Sequence, residues 1–367
     1  MAWFSNLFQK EEGSALGIDI GSAGIKIVQL KRKNGRAVLE TYGELSLGPY
    51  GGKGVGQAVV LPPEKIAGAL MDLMNEKEVN VTTKNCGLSI PFSSSLMSEI
   101  EMPEVPEKQL ATMVPLEARK YIPVPISEVM LDWSIIPRSE IVENGTPSQE
   151  GTATGKVNVL VVAIHNDTIA RYQSIVTQAG LNASFFEIEI FSTMRSVLDE
   201  TLRPVLIIDM GAASTKLYIL ERGVIRNSHT VNRGAQDITT TLSQSLGISL
   251  EQAEVMKRDV GLLGPDQNVT DIISLALDYI FSEVNTVMLD FEKKHNKTLS
   301  KTMLVGGGAA LKGILELSKS NLKTEVELGL PFNKVAAPAF LDNILRATGP
   351  EFAVAIGLAL RKLSEGE

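Results

Sequence analysis

Two stretches of this chain share one layout, and that layout constrains the fold more than anything else in the sequence. Ala15–Leu30 reads ALGIDIGSAGIKIVQL and Val205–Leu220 reads VLIIDMGAASTKLYIL. Each runs a strand-like apolar segment into Asp-x-Gly, then small residues, a basic residue and a second apolar segment. Alternating apolar positions around a Gly/Ser-rich break predict two short strands joined by a tight turn. The copies are too far apart and too imperfect for a solenoid. They fit two similar α/β halves facing each other, and 367 residues suit two or three folded units.

Composition removes several classes of function. There are 35 Lys+Arg against 43 Asp+Glu, a net charge of −8, and no basic stripe to release counterions, so nucleic acid is a poor partner. Cys86 is the single cysteine and there are three histidines. An internal disulfide is impossible, no CxxC or Cys/His cluster suggests a structural zinc site, and a reducing compartment is expected. Apolar runs such as Val159–Ile164 and Val205–Ile208 are strand-length, short of the ~18 residues that cross a bilayer. The opening MAWFSNLFQKEE lacks a basic region and a cleavage site, so it is not a secretory signal. Its Trp3, Phe4, Leu7 and Phe8 fall at helical spacing. The segment reads as an arm docking on its own domain or a partner, as a membrane-surface helix, or as disorder.

The remaining chain divides by texture. Ala37–Tyr42 makes a third strand after a turn at Gly35, Leu47–Val55 is a Gly-rich loop, and Glu64–Glu76 is an amphipathic helix with Ile66, Leu70, Leu73 and Met74 on one face. From about Cys86 the character changes. Gly87–Ile90 and Met97–Met102 are strands, and Met102–Val129 carries five prolines around a helix at Glu107–Tyr121 that Pro115 should kink. Glu128–Ile136 and Lys156–Ile164 are strands, with a polar, disorder-prone stretch at Arg138–Gly155 between them. Cys86–Ile164 thus reads as a small inserted α+β unit. Helices follow at Asn166–Gly180 and within Phe185–Leu202. In the second half, Asp237–Leu246 and Leu250–Val260 are helices, the latter with a Ser249/Gln252 capping box. Val269–Asn296 is a long helix with Ile272, Leu275, Ala276, Tyr279, Ile280 and Val287 as its apolar face. Met303–Val305 runs into Gly306–Gly308 and a helix from Ala309 to Ser318. Phe352–Leu363 is an apolar closing helix.

The chemistry belongs to the turns. A strand entering a tight Gly/Ser turn aims consecutive backbone N–H groups at one point, a cradle for phosphate oxygens. Asp19 or Asp209 at the strand end is a hard oxygen ligand suited to Mg²⁺ through retained waters. Lys26 can reach a β- or γ-phosphate as a point charge. The run Gly306–Gly308 between a strand and a helix lets a flat base or ribose lie on bare backbone. Glu254 and Lys257, three apart on one helix face, offer an acceptor and a donor for a ribose and an adenine edge. Each motif alone also reads as an ordinary hairpin, turn or surface pair. Their order, one phosphate loop per half and then an adenosine loop, is what carries weight.

These three motifs, GIDIGSAGIKIV, LIIDMGAASTKLYIL and MLVGGGAALKGI, resemble those of the actin/Hsp70/sugar-kinase ATPase superfamily. Within it the chain resembles the branch containing the division protein FtsA. In particular it is similar to the PilM family of type IV pilus assembly, through PLEARKYIPVPISEVMLDW, EQAEVMK and FAVAIGLALRKL. The resemblance implies an α/β, actin-like (ribonuclease H-like) two-lobed ATPase fold with an FtsA-type inserted α+β subdomain. It implies an arm at 1–12 and a first-lobe core at 13–85 and 165–204 with its insertion at 86–164. The second-lobe core would be 205–236 and 301–350, its subdomain 237–300, and 351–367 a helix packing on the first lobe. It implies ATP and Mg²⁺ as ligands. Asp19, Gly21, Ser22 and Lys26 match the first phosphate loop, and Asp209, Gly211, Ser214 and Thr215 the second, with Asp19 and Asp209 toward the metal. Glu189, in EIEIFSTMRS, matches a position that orients the attacking water. Gly234 matches a turn near the ribose, and Glu254, Lys257 and Gly306, Gly307 and Gly308 the adenosine pocket. Ala212 and Ala213 depart from the polar residues usual in the second loop, which argues against fast hydrolysis but leaves backbone phosphate binding intact.

By resemblance the protein is a cytoplasmic scaffold at the inner face of the bacterial inner membrane, its membrane association indirect. Its implied partner is the cytoplasmic N-terminal tail of a PilN-like bitopic protein, held in a groove of the first half and the insertion in a nucleotide-responsive way. Other pilus platform proteins and the pilus motor ATPases are further implied partners, and a homo-oligomer stays open. Three alternatives stand beside this one: an ATPase driving a conformational cycle, an FtsA-like membrane-associated filament, and the equivalent part of a type II secretion platform. A chaperone would need a substrate domain after Pro350, where little chain follows, and no sugar-kinase Asp motif is visible.

Overall fold

The computed structural model describes residues 13–136, 155–199 and 203–365. The N-terminal arm and almost all of the polar 138–155 stretch therefore lie outside the described residues. The chain divides into a large unit, residues through Ser89 and from Ile175 onward, and a smaller one, Ile90–Ser174.

The large unit begins with β1 (Ser14–Ile20), β2 (Gly24–Lys33) and β3 (Arg36–Ser46), an antiparallel meander in which Asp19 pairs with Lys26 across the first turn. Helix α1 (Pro63–Asn75) starts with proline at its first position, where a missing N–H costs nothing, and buries Ile66, Leu70 and Leu73. Strand β4 (Asn85–Ile90) then runs parallel to β1. Cys86 and Gly87 therefore belong to the first sheet, and the textural boundary at Cys86 falls one strand early. A parallel strand has no hairpin partner next to it in sequence, so nothing local ties β4 to β1.

In the smaller unit β5 (Ser95–Pro103), β6 (Val129–Ile135) and β7 (Lys156–His165) form an antiparallel sheet with β7 central. Helix α2 (Glu107–Ala118), which carries Pro115 inside it, packs Leu110, Val114 and Ala118 on Ile100, Met102, Val159 and Val161. Helix α3 (Asn166–Gln178) leads back toward β8 (Asn182–Ile188), which completes the first sheet in the order β3-β2-β1-β4-β8. Helix α4 (Glu189–Val197) follows at once.

The second half rebuilds the same sheet. Strands β9 (Val205–Met210), β10 (Thr215–Glu221) and β11 (Val224–Val231) form the meander, with Asp209 opposite Lys216. Strands β12 (Lys301–Val305) and β13 (Glu325–Leu328) add in parallel, giving β11-β10-β9-β12-β13. The sequence repeat is thus a repeat of whole five-stranded sheets, and we call the two halves lobes.

Between β11 and β12 come α5 (Ala235–Leu246), α6 (Leu250–Asp259) and α7 (Gln267–His295). The capping box forms: Gln252 N–H donates to Ser249 Oγ at 3.2 Å and Ser249 N–H to Gln252 Oε1 at 3.0 Å. The apolar face of α7 is in part the one its spacing predicts: Ile280 and Val287 are buried, and Ile272 and Ala276 pack against the same core. Val269, Ile273, Leu277, Ile280, Phe281, Val284 and Phe291 enter the second-lobe core, while Leu275 and Tyr279 are exposed. By length and composition α7 could also cross a bilayer, but these buried side chains commit one side of it to the protein core. After the glycine run a 3-10 turn spans Gly307–Ala310, and α8 (Ile314–Asn321) begins only after Gly313, so no helix starts at Ala309.

Helices α9 (Asp342–Thr348) and α10 (Ala353–Ser364) close the described chain. Helix α10 is buried along most of its length and lies on the first sheet so closely that a Cβ on Gly17 would sit 1.9 Å from the Ala355 carbonyl oxygen. Phe352, just before it, packs edge-on to Tyr42 of β3 and beside Phe332.

Candidate functional site

A cavity of about 600 Å³ opens between the two lobes of the large unit. Each lobe contributes the turn at the end of its first strand. In the first, Gly21 N–H donates to the Gly24 carbonyl at 2.9 Å, while the Ser22 and Ala23 carbonyls accept from Val59 and Leu47. In the second, Gly211 N–H donates to the Ser214 carbonyl at 3.0 Å, and the Gly211 and Ala212 carbonyls accept from Ala235 and Gln236 at the start of α5. Both turns are tied to the protein through their carbonyls.

Most residues singled out in the sequence line this cavity: Asp19, Gly21, Ser22 and Lys26; Glu189; Asp209, Gly211 and Ser214; Glu254 and Lys257; and Gly306 to Gly308. Two do not. Thr215 is fully buried and its hydroxyl donates to the Arg233 carbonyl at 2.9 Å. Gly234 backs the second turn: a Cβ there would sit 2.5 Å from the Ala212 carbonyl oxygen. It caps α5, and Asp237 reaches back to its N–H at 2.8 Å.

The carboxylates are held firmly. Asp19 Oδ1 accepts from Ser89 Oγ at 2.7 Å. Burial raises the Asp19 pKa, and the charge of Glu189 adds to this. Asp209 is pushed up to about 6, first by burial, with Glu189 and Asp19 contributing against the opposing charge of Lys216. Asp209 presses on the third loop, where Gly306 has φ +83° and a Cβ would meet Asp209 Oδ1 at 2.4 Å.

Sequence reasoning missed several cavity residues. Lys216 Nζ lies 2.8 Å from Glu189 Oε2 and 3.8 Å from Asp209 Oδ2. Its signal was visible, for it follows Asp209 by the same interval as Lys26 follows Asp19. Glu44 and Glu351 left no such signal. Lys26 Nζ is 2.9 Å from Glu44 and 3.9 Å from Glu351. Burial opposes the Lys26 charge, but these carboxylates outweigh it and its pKa rises. Glu351 is itself pushed up to about 7, by burial and by the facing Glu44.

That shift sets a sign. A carboxyl whose folded pKa exceeds its unfolded value binds its proton more tightly when folded, so stability falls as pH rises from about 4.5 toward 7. Glu351→Gln should therefore leave the thermal midpoint nearly unchanged at about pH 4 and raise it by roughly 2–4 °C at about pH 8. Scanning calorimetry of both proteins at the two pH values checks this.

Glu254 and Lys257 are on the cavity wall, but their polar atoms are already engaged. Glu254 accepts from Lys257 Nζ and Thr239 Oγ1 through Oε2 and from Arg258 Nε through Oε1, each at 2.6 Å. Lys257 also donates to Thr239 Oγ1 at 2.9 Å and the Ala235 carbonyl at 3.2 Å. From the first lobe, the loop after β3 reaches over: Ala58 N–H donates to Gln236 Oε1 at 3.2 Å.

Among the described residues, six carboxylates and four cationic side chains line the cavity. A bare triphosphate would meet excess negative charge, whereas a divalent cation between Asp19, Asp209 and the phosphates would relieve it. Among the described residues no cluster of three or more His, Cys, Asp or Glu forms an all-protein metal cage. Mg²⁺ asks for one or two carboxylates, water and phosphate rather than a cage, so this donor set fits it.

Four likenesses to known proteins bear on the family and the fold. The family model for type IV pilus assembly protein PilM matches residues 17–363. A solved PilM-PilN type IV pilus biogenesis complex is similar in structure, with a TM-score of 0.78 and 26% identity over 95% of this chain and 98% of that one. The cell division protein FtsA of Streptococcus pneumoniae is 21% identical over 91% of this chain and 79% of its own length. MreB 5 of Spiroplasma citri bound to AMPPNP shares the fold, with a TM-score of 0.54 and 12% identity over 96% of this chain and 99% of that one. The architecture is therefore actin-like.

Proposed function

The chain belongs to the PilM family of type IV pilus assembly proteins, and from that premise we propose that it is an ATP-binding scaffold of the pilus inner-membrane platform. On this reading it works at the cytoplasmic face and binds the N-terminal tail of a PilN-like membrane protein. The observation that carries the nucleotide half is the convergence of two Asp-x-Gly turns and one glycine loop on a single cavity. The observation that carries the partner half is the likeness to a PilM-PilN complex.

In this reading backbone N–H groups of the turns at 21–24 and 211–214 receive phosphate oxygens. Lys26 supplies a point charge, Asp19 and Asp209 hold water-coordinated Mg²⁺, and Gly306–Gly308 face the adenosine. Bound Mg²⁺ would neutralise phosphate charge. Glu189 would orient a water, but its bond to Lys216 and the alanines of the second turn favour binding over rapid turnover. Occupancy would bias closure of the lobes and so alter the partner surface.

The test is retention of the full chain on an immobilised peptide of the PilN cytoplasmic tail, with and without ATP and Mg²⁺. We expect retention in both conditions, changed at least severalfold by nucleotide. No retention in either condition would sink the partner claim. Retention indifferent to ATP would sink the nucleotide link. Phosphate release well above buffer, lost in Glu189→Ala, would favour an ATPase driving a cycle.

A further inference from the structure

Lys216 occupies in the second lobe the place that Lys26 occupies in the first. Each faces the aspartate of its own strand pair across the ladder, Lys26 opposite Asp19 and Lys216 opposite Asp209. Both line the cavity. Their company differs. Lys26 is bonded to Glu44, a carboxylate of its own sheet. Lys216 is bonded at 2.8 Å to Glu189, the first residue of α4, so its ion pair crosses from the second lobe to the first. With a side chain only 17% exposed, the ammonium needs compensation. Glu189 and Asp209 supply it and keep it charged despite burial.

We propose that Lys216 is a second phosphate-binding cation, which exchanges Glu189 for the terminal phosphate of a bound nucleoside triphosphate. The inference rests on the nucleotide-binding reading given above. An ammonium is a compact charge with three donors on a flexible stem, so it can change partner without backbone movement. Glu189 and a terminal phosphate oxygen compete for the same donors. On this proposal a third phosphate would reach Lys216 and displace Glu189, whereas a diphosphate would stop short and leave Lys216 on Glu189. Exchange replaces a direct lobe-to-lobe ion pair with a lobe–phosphate–lobe bridge, so the cleft distinguishes triphosphate from diphosphate.

The experiment is calorimetric titration of the full chain with ATP and with ADP, both with Mg²⁺. Lys216→Met should weaken ATP binding about tenfold or more and ADP binding by less than about threefold. Glu189→Gln, which releases Lys216, should tighten ATP binding, and that gain should vanish in the double variant. Unchanged ATP affinity in Lys216→Met, or equal weakening of ATP and ADP, overturns the proposal while leaving the nucleotide reading intact. Should Lys216→Met fail to fold, absence of tightening in Glu189→Gln overturns it alone. A wild-type chain that binds neither nucleotide overturns both the lysine's role and the reading beneath it.

Discussion

Gly17→Ala is expected to remove at least about 3 kcal/mol of stability, seen as a urea midpoint shifted far below that of the parent chain. Gly17 lies in the middle of β1, between Val28 of β2 and Gly87 of β4. On that face α10 approaches until an added methyl would stand 1.9 Å from the Ala355 carbonyl oxygen and 2.7 Å from the Ala359 nitrogen. Both are backbone atoms, so no rotamer change makes room. Either the helix lifts, opening the cluster formed by Val28, Leu30, Phe352, Ala355, Ile356 and Ala359, or β1 bends and moves Asp19 at its end. The first route costs packing and the second disturbs the site. A variant with parental stability would show that α10 does not sit where the structure has it.

Gly306→Ala should leave the chain folded, by circular dichroism, and raise the dissociation constant for ATP at least about thirtyfold, read by calorimetry. Gly306 has φ +83°, a backbone region that costs alanine on its own. Its Cβ would also stand 2.4 Å from Asp209 Oδ1 and 2.7 Å from the Met210 carbonyl oxygen. The Asp209 carboxylate, part of the cavity lining, must move. Gly307→Ala makes a useful companion. There the nearest atom to an added methyl is Glu351 Oε2 at 3.9 Å, so the unliganded chain keeps its stability, and any lost affinity reports contact with the nucleotide itself.

The sequence and the structure part company in instructive places. Repetition was the readable part. Ala15–Leu30 and Val205–Leu220 each encode a hairpin in local alternation, so the two meanders and both Asp-x-Gly turns could be located before any coordinates. Lys216 was equally readable, since the same interval from its aspartate marks it. Glu44 and Glu351 were not. They reach Lys26 from β3 and from the segment before α10, and only tertiary placement brings them together. Strands β8 and β11 escaped because Asn182–Ile188 and Val224–Val231 mix burial classes without clean alternation. The face of α7 was read only in part, with Leu275 and Tyr279 misplaced, because apolar residues lie on more than one side of a 29-residue helix. Periodicity cannot say which side finds a partner. Glu254 and Lys257 line the cavity, but spacing alone could not reveal that they would satisfy each other.

The turn at Gly349–Phe352 has a mechanical consequence. Pro350 accepts the Gly306 N–H of the adenosine-loop candidate at 2.8 Å, Glu351 faces Lys26 in the cavity, and Phe352 enters the first-lobe aromatic cluster. Directly afterwards α10 is seated on bare glycine backbone that leaves it no slack. These few residues form a crank: one end is bolted to the second lobe, the other keyed into the first. A change of angle between the lobes would therefore be felt in this turn, which itself carries the side chain that faces the cavity.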